Sequence, residues 1–245
     1  MAFTAPVALV TGAARRIGAA IARRLHADGH ALALHYRRPG PELDALLAAF
    51  EAARPGSAVA LQADLREPQA CERLVAEAQA RLGRLDALVN NASAFAVAPL
   101  EASDAALFDA QFAVNARAPF LLARAAAPFL RAQRGAIVNV ADVYAAQPRP
   151  DAIAYSASKA ALVAITQGLA GALAPEVRVN AVAPGAILWP DGESGSGDRE
   201  AILARTALGR RGSPEDIADA VAWLLRAPFV TGQVVRVDGG RALTA

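Results

Sequence analysis

The sequence predicts an α/β fold, a single doubly wound parallel sheet of about seven strands with helices on both faces. Three observations carry this expectation. Short, near-continuous apolar runs alternate with longer stretches of helical period over all 245 residues. No linker or internal repeat divides the chain, so 1–245 reads as one domain. Hydrophobic residues make up 55% and charged residues 20%, with mean hydropathy +0.27, which excludes disorder as a description of the whole chain.

Taken in order, the strands are the apolar runs Val7–Val10, Ala31–His35, Ala58–Gln62, Leu85–Val89, Ala136–Val140, Val177–Val182 and Val234–Val237. Each is too short for a helix, and most lack the polar alternation of a one-sided sheet. Helical period fills the intervals near 17–28, 41–53, 68–82, 103–131, 151–173 and 214–226. Right-handed crossovers through these helices wind the sheet in both directions. Residues 189–199, from Trp189 to Arg199, are polar and rich in Gly and Ser. They read either as a plain surface loop or as a substrate lid, since ligands of such folds bind beyond the carboxyl ends of the strands.

Charge and cysteine usage narrow the class. Net charge is +2, so the pI near 9.1 reflects near balance and gives no case for nucleic acid. The longest charge-free stretch, Ala160 to Pro175, falls short of the ~20 apolar residues that span a bilayer. No basic, apolar leader is read at the start. Cys71 is the single cysteine, and with His26, His30 and His35 it forms no metal-ligand spacing. The expectation is a soluble, cytoplasmic protein without a metal.

The first strand ends in Thr11-Gly12-Ala13-Ala14-Arg15-Arg16-Ile17-Gly18, and a helix follows. A Gly-bearing turn of this kind sets backbone N–H groups and a helix N-terminus against a pyrophosphate. The spacing is not G-x-G-x-x-G; the position after strand one is what points to a nucleotide. Arg15 and Arg16 either add charge beside the phosphates or are helix-surface arginines. Strand two ends in His35-Tyr36-Arg37-Arg38, where an NAD site carries an Asp or Glu for the ribose 2′-OH. Two guanidinium groups suit a 2′-phosphate instead, which favours NADP(H) over NAD(H). The alternative is that Arg37 and Arg38 open a solvated loop ahead of Pro39.

Of the 25 basic residues only Lys159 is a lysine, and it lies four residues after Tyr155 on the same helix face. A phenol with pKa of about 10 shuttles protons poorly at neutral pH. An ammonium ~4 Å away favours the phenolate by about 1 kcal/mol in water and about 4 at an effective dielectric of 20. The pair is therefore useful only in a partly dry site; otherwise Lys159 is a surface lysine left over in an arginine-biased chain.

Thr11-Gly12…Gly18, Asn90-Asn91-Ala92, Asn115, Tyr155…Lys159, Pro184-Gly185 and Val237-Asp238-Gly239-Gly240 stand in the order and spacing of the short-chain dehydrogenases/reductases. The resemblance spans essentially the whole chain and implies a Rossmann-type domain. It implies that Tyr155 gives or takes the proton, and that Lys159 binds the nicotinamide ribose and lowers the Tyr155 pKa. It further implies that Asn115 helps hold a relay water near Lys159, that Pro184-Gly185 lines the nicotinamide, and that Asp64 of Ala63-Asp64-Leu65 binds the adenine. Gly12, Arg15, Arg16, Ile17, Gly18, His35, Tyr36, Arg37, Arg38, Leu65, Asn91, Ala92 and Ser93 complete the implied cofactor contacts. On the residues alone, Asn90 also reads as a turn former, Asp64 as a helix cap and Asp238 as a hairpin residue.

Two departures point within that family. Arg16 stands where most relatives carry glycine, and Asp142 where most carry a serine, thirteen residues before the tyrosine. Together with His35-Tyr36-Arg37, Asn91-Ala92-Ser93-Ala94-Phe95 and Leu173-Ala174-Pro175-Glu176-Val177, they resemble the pteridine reductases and bacterial dihydromonapterin reductases. The resemblance implies NADPH-dependent reduction of a 7,8-dihydropterin to a tetrahydropterin by Asp142, Tyr155 and Lys159. The pterin would lie against Phe95, with Arg16, Ser93, Leu188 and Trp189 around it. With the Ala-rich helical stretches 103–131 and 151–173, it also implies a homotetramer. Phe95 alternatively packs in the core, and Asp142 alternatively bridges to Arg149. The competing functions are reduction of a ketone, sugar or 3-oxoacyl thioester, and a non-catalytic NADP-binding sensor. Such a sensor would be expected to have lost Tyr155 or Lys159, and both are present.

Overall fold

The computed structural model describes residues 5–187 and 196–243. Its strands are β1 (Val7–Val10), β2 (Ala31–Tyr36), β3 (Ala58–Gln62), β4 (Ala87–Asn90), β5 (Ala136–Val140), β6 (Arg178–Pro184) and β7 (Val234–Val237). Its helices are α1 (Arg16–Ala27), α2 (Pro41–Ala53), α3 (Pro68–Leu82), α4 (Ala105–Phe112), α5 (Ala118–Gln133), α6 (Ile153–Leu173), α7 (Ser196–Ala204) and α8 (Pro214–Arg226). The strands form one parallel sheet in the order β3-β2-β1-β4-β5-β6-β7. The doubly wound reading of the sequence is therefore what the chain adopts.

Burial explains why these runs are strands. β1, β4 and β5 are buried at every position, as strands covered on both faces must be, whereas the edge strands β3 and β7 are mostly half-buried. One core layer joins Ile21 and Leu25 of α1, Leu46 and Phe50 of α2, and Ile217 and Val221 of α8 to one sheet face. The other joins Leu74 of α3, Leu122 and Ala126 of α5, and Leu173 of α6 to the opposite face. Proline opens α2, α3 and α8, where its missing N–H would have had no partner. A capping box between Ser213 and Asp216 fixes the start of α8.

Beyond shifts of one or two residues at the ends of elements such as β2, β6 and α6, three boundaries differ from expectation. The stretch 103–131 is not one helix: α4 and α5 are separated by a wide, π-type turn over Ala113–Arg117. Pro119 has no N–H to offer the carbonyl of Asn115, so a regular α-helical bond is lost there and the turn widens. β4 begins at Ala87 rather than Leu85, although Asp86 already bonds both neighbouring strands, its N–H donating to the Val7 carbonyl (2.9 Å) and its carbonyl accepting from Ala136 N–H (3.0 Å). Within the expected loop 189–199 the backbone is helical from Ser196, the start of α7. Ser, Gly and Asp favour both loops and helix starts, so composition concealed it. Leu188, Trp189 and the rest of that loop to residue 195 lie outside the described residues. No described helix is long and apolar enough to cross a membrane.

Strand order reverses between β1 and β4. Their carboxyl ends, levelled by the pairing of Val10 with Val89, open the crevice where such sheets hold ligands.

Candidate active site

The turn after β1 is built for close approach. Gly12 has φ +63°, and a side chain at Gly18 would overlap the Gly12 carbonyl oxygen and stand 2.6 Å from Asn91 Nδ2. Asn91 Nδ2 donates to the Thr11 and Gly12 carbonyls at 2.9 and 3.1 Å, and Thr11 Oγ1 accepts from the N–H groups of Asn91 and Ala92. The ends of β1 and β4 are thereby stitched together. No side chain caps α1 and no acidic residue sits in its first turn, so the helix N-terminus faces the crevice unneutralised. Arg15 and Arg16 are exposed there. Arg16 keeps the left-handed backbone of the glycine it replaces, at φ +55°, a strain of about 1 kcal/mol. A cradle that a Cβ at Gly18 would fill, beside uncapped N–H groups and arginines, fits a dinucleotide pyrophosphate.

At the far end of the crevice His35 is buried and spends both ring nitrogens on the backbone. Its Nδ1 accepts from Gly12 N–H at 3.0 Å and its Nε2 donates to the Ala63 carbonyl at 3.1 Å. Burial lowers its pKa, which keeps the neutral tautomer these bonds need. Its ring braces the phosphate turn and is not offered to a ligand. Asp64, for which the resemblance implied the adenine contact, lines the cavity at this end. Its carboxylate accepts from the Arg66 N–H and pairs with the Arg66 guanidinium, which holds its pKa down to about 2. The carboxylate is thus already engaged, in a local turn close to the cap read from the residues alone. Arg37 and Arg38 are exposed, form no ion pair with a described residue, and line a cavity of about 570 Å³ with Gln62, Asp64, Arg66 and Arg73. No carboxylate stands at the end of β2, so a phosphate monoester there would meet only cations from that strand end.

The reacting end is assembled from β5 and α6. Asp142 follows β5 and caps the 3₁₀ turn Val143–Ala145, its Oδ1 accepting from the Tyr144 N–H at 2.9 Å. The Tyr155 hydroxyl donates to Asp142 Oδ2 at 2.8 Å. One turn on, Lys159 Nζ donates to the Val140 carbonyl at 2.8 Å and lies 5.7 Å from the centre of the Tyr155 ring. Tyr155 is 6% and Lys159 2% exposed, so the site is dry. Burial lifts the Asp142 carboxyl above its usual range, against the pull of Tyr144 N–H, Tyr155, Lys159 and Arg241. Burial, and then the Asp142 charge, lifts the Tyr155 phenol well above 10. Burial lowers Lys159 from 10.5 to about 8, against Asp142. The net direction for the phenol is upward. Burial is the larger cause, and the carboxylate in hydrogen-bond contact, where a serine would be neutral, adds to it. Asp142 does not bridge to Arg149, which pairs with Asp151 instead.

Asn115, fully buried in the π-type turn, acts as a clamp. Its Oδ1 accepts from Ala94 N–H at 2.8 Å and Ser93 Oγ at 3.1 Å; its Nδ2 donates to the Ala94 carbonyl at 2.8 Å and Ser158 Oγ at 2.9 Å. Its amide is thereby occupied with the loop and α6 and makes no bond to Lys159. The clamped loop carries Phe95, half-exposed and edge-on to the Tyr155 ring at 4.7 Å and 89°, rather than buried in the core. Gly185 follows β6 and donates to the Val237 carbonyl at 3.0 Å. Asn90 is no turn former: it is buried in the sheet and donates to Asn139 Oδ1 at 2.8 Å. Asp238 holds the N–H groups of Gly240 and Ala242 at 2.9 Å each.

Thus Asp142, Tyr155, Lys159, Ser93 and Phe95 converge, Asn115 fastens their loop, and Gly12, Gly18 and Asn91 form the cradle. Sequence reasoning gave no role to Thr11, Ser158, Tyr144 or Arg241. Ser158 was legible as the i+3 neighbour of Tyr155; Arg241 had no local signal. Chemically, Tyr155 Oη with a carboxyl behind it can hand over a proton and be refilled, and the two groups titrate as a pair.

A family model described as enoyl-(acyl carrier protein) reductase matches residues 12–242. Pteridine reductase 1 of Leishmania tarentolae is 36% identical, with 98% of each chain covered. The 3-oxoacyl-[acyl-carrier-protein] reductase of Synechocystis sp. is 34% identical, with 99% of each covered. Among solved structures, a blue fluorescent protein from a metagenomic library in complex with NADPH is similar at TM-score 0.90 and 36% identity, covering 97% of this chain and 98% of that one.

Proposed function

The chain belongs to the short-chain dehydrogenase/reductase family, and from that premise we propose that it is an NADPH-dependent reductase of a pterin ring, taking a 7,8-dihydropterin to a tetrahydropterin. The observation that carries this reading is the 2.8 Å hydrogen bond from Tyr155 Oη to Asp142 Oδ2, with the half-exposed Phe95 ring beside it. A serine hydroxyl suits a neutral ketone; a buried carboxyl suits an amino-substituted heterocycle, to which it can offer an acceptor or return a proton. The likeness to pteridine reductase 1 supports the same substrate class.

Gly12, Gly18, Asn91, Arg37 and Arg38 would hold NADPH, and Lys159, with one donor on Val140, has two left for its ribose hydroxyls. NADPH, when bound, supplies the hydride. Tyr155 Oη holds the proton that the reduced bond requires, and the Asp142 carboxyl, raised by burial, refills it. Because the phenolate left on Oη would face a carboxylate at hydrogen-bond distance, the proton lost is in net terms that of Asp142. Lys159 balances the charge left behind. Phe95 and the loop fastened by Asn115 provide a flat apolar face that keeps water from this exchange. Arg16, Ser93, Leu188 and Trp189 complete the proposed substrate contacts. The enzyme is further proposed to be a cytoplasmic homotetramer, in which the exposed Phe108 of α4 and Phe120 of α5 would be covered.

A second reading, reduction of a ketone or 3-oxoacyl thioester, is supported by the Synechocystis relative. NADPH consumption by purified protein with dihydromonapterin, dihydrobiopterin, dihydrofolate and an oxoacyl thioester separates the two. Turnover of the thioester and of no pterin would overturn the first. Asp142→Ser should remove most pterin reduction, while a carbonyl reductase would keep roughly its full rate.

A further inference from the structure

The turn Arg241–Leu243 near the chain's end returns to the loop that carries Asp142. Arg241 Nη2 donates to the Tyr144 hydroxyl at 3.2 Å, and its guanidinium carbon stands 5.8 Å from the Tyr144 ring centre. Arg149 lies 5.4 Å from the same ring centre, so Tyr144 is flanked by two guanidinium groups. The attachment is reinforced on both sides. Gln147 Nε2 donates to the Ala242 carbonyl at 3.0 Å, and Asp238 fixes the turn by accepting from Gly240 and Ala242 N–H. Tyr144 in turn is bound to Asp142, since its own N–H is the donor to Asp142 Oδ1 at 2.9 Å. Two links therefore join Arg241 to the carboxylate that accepts from Tyr155.

We propose that Arg241 is a positioning residue for the reduction, which holds Tyr144 from the chain's final turn and so keeps the Asp142 carboxylate aimed at Tyr155 Oη. Its charge acts on the same carboxylate. The groups that face Asp142 are Tyr155 and Lys159 from α6, the Tyr144 N–H from its own loop, and Arg241 from the last turn; each favours the ionised carboxylate against burial. The Arg149 charge is spent on Asp151. Arg241 thus sets how readily Asp142 takes back the proton it lends to Tyr155. The inference rests on Asp142 and Tyr155 as the proton-handling pair and is independent of which substrate is reduced.

The test uses the full-length protein and the variants Arg241→Gln, Arg241→Lys and Tyr144→Phe. The Asp142 carboxyl carbon is titrated by NMR in the cofactor-free protein, with Asp142→Asn assigning the signal. NADPH affinity is measured by fluorescence, and kcat by whichever of dihydrobiopterin or an acetoacetyl thioester is turned over. Arg241→Gln should move the Asp142 midpoint up by roughly half a unit or more and lower kcat about tenfold, with NADPH affinity within about twofold. Arg241→Lys should restore the midpoint, and Tyr144→Phe should lower kcat in the same direction. An unchanged midpoint in Arg241→Gln overturns the proposal. So does a lysine variant as impaired as the glutamine one, or a loss of NADPH binding and cooperative unfolding together, which would make Arg241 a packing residue. The NMR titration needs no substrate, so its failure is distinct from a failure of the pterin assignment.

Discussion

Lys159→Met should make the protein more stable at neutral pH while abolishing reduction. Lys159 is 2% exposed and its pKa falls from 10.5 to about 8, which corresponds to about 3 kcal/mol against holding the charge. Methionine fills the same volume without a charge, but leaves the Val140 carbonyl without its 2.8 Å donor, a loss of roughly 1.5–3 kcal/mol. The net expectation is a gain of about 1 kcal/mol at pH 7. The pH dependence is the sharper signature. Because the folded pKa is the lower one, the unfolded chain binds more protons between pH 8 and 10.5, and wild-type stability rises across that window. The methionine variant lacks this rise, so its advantage should shrink by about 3 kcal/mol between pH 8 and 10.5 and change sign. Denaturant unfolding of both proteins at equal concentration, at several pH values in that range, measures it. A stability difference that is flat with pH would refute the reasoning, because packing alone would then account for it. Stability gained together with activity lost is the mark of a charge held in place for function.

Lys159→Arg should fold but bind NADPH poorly by fluorescence titration, because a planar fork does not fit where an ammonium does. Gly18→Ala should destabilise the fold by roughly 1–3 kcal/mol and remove NADPH binding, since its methyl meets the Gly12 carbonyl. Arg37→Ser with Arg38→Ser should raise KM for NADPH about tenfold or more and leave KM for NADH nearly unchanged; equal effects on both would assign the arginines to the solvated loop. His35 has a folded pKa below its unfolded 6.5, so its contribution to stability is present above pH 6.5 and is lost as pH falls through the folded value. Acid unfolding followed by circular dichroism should accordingly lose part of its slope in that region in His35→Gln.

How far the sequence could be read depended on whether a feature was local. The strand runs were legible because a parallel sheet covered on both faces demands near-continuous apolar residues, and β1, β4 and β5 are buried throughout. The Tyr155–Lys159 pair was legible because i and i+4 share a helix face. The π-type turn was not, although Pro119 was its local cause, because an Ala-rich period over 103–131 looks the same with one residue more in a turn. The start of α7 was hidden by Ser and Gly that serve loops and helix caps alike.

The sequence by itself determined the order of elements, the glycine-bearing turn, and the residue types at the reacting end: a lone lysine, a tyrosine four residues before it, and a carboxyl in place of a serine. Tertiary structure alone decided what those groups are in energy. Whether the Tyr155 phenol is pushed up or down depends on distance and burial, and burial, followed by the carboxylate 2.8 Å away, pushes it up. It likewise turned His35 into a brace, Asp64 into the partner of Arg66, and Asn115 into a clamp, and it brought Arg241 to a loop ninety-seven residues earlier. Residue type and spacing carry the chemistry available, whereas electrostatics in a low-dielectric interior falls with distance in space, which spacing along the chain does not encode.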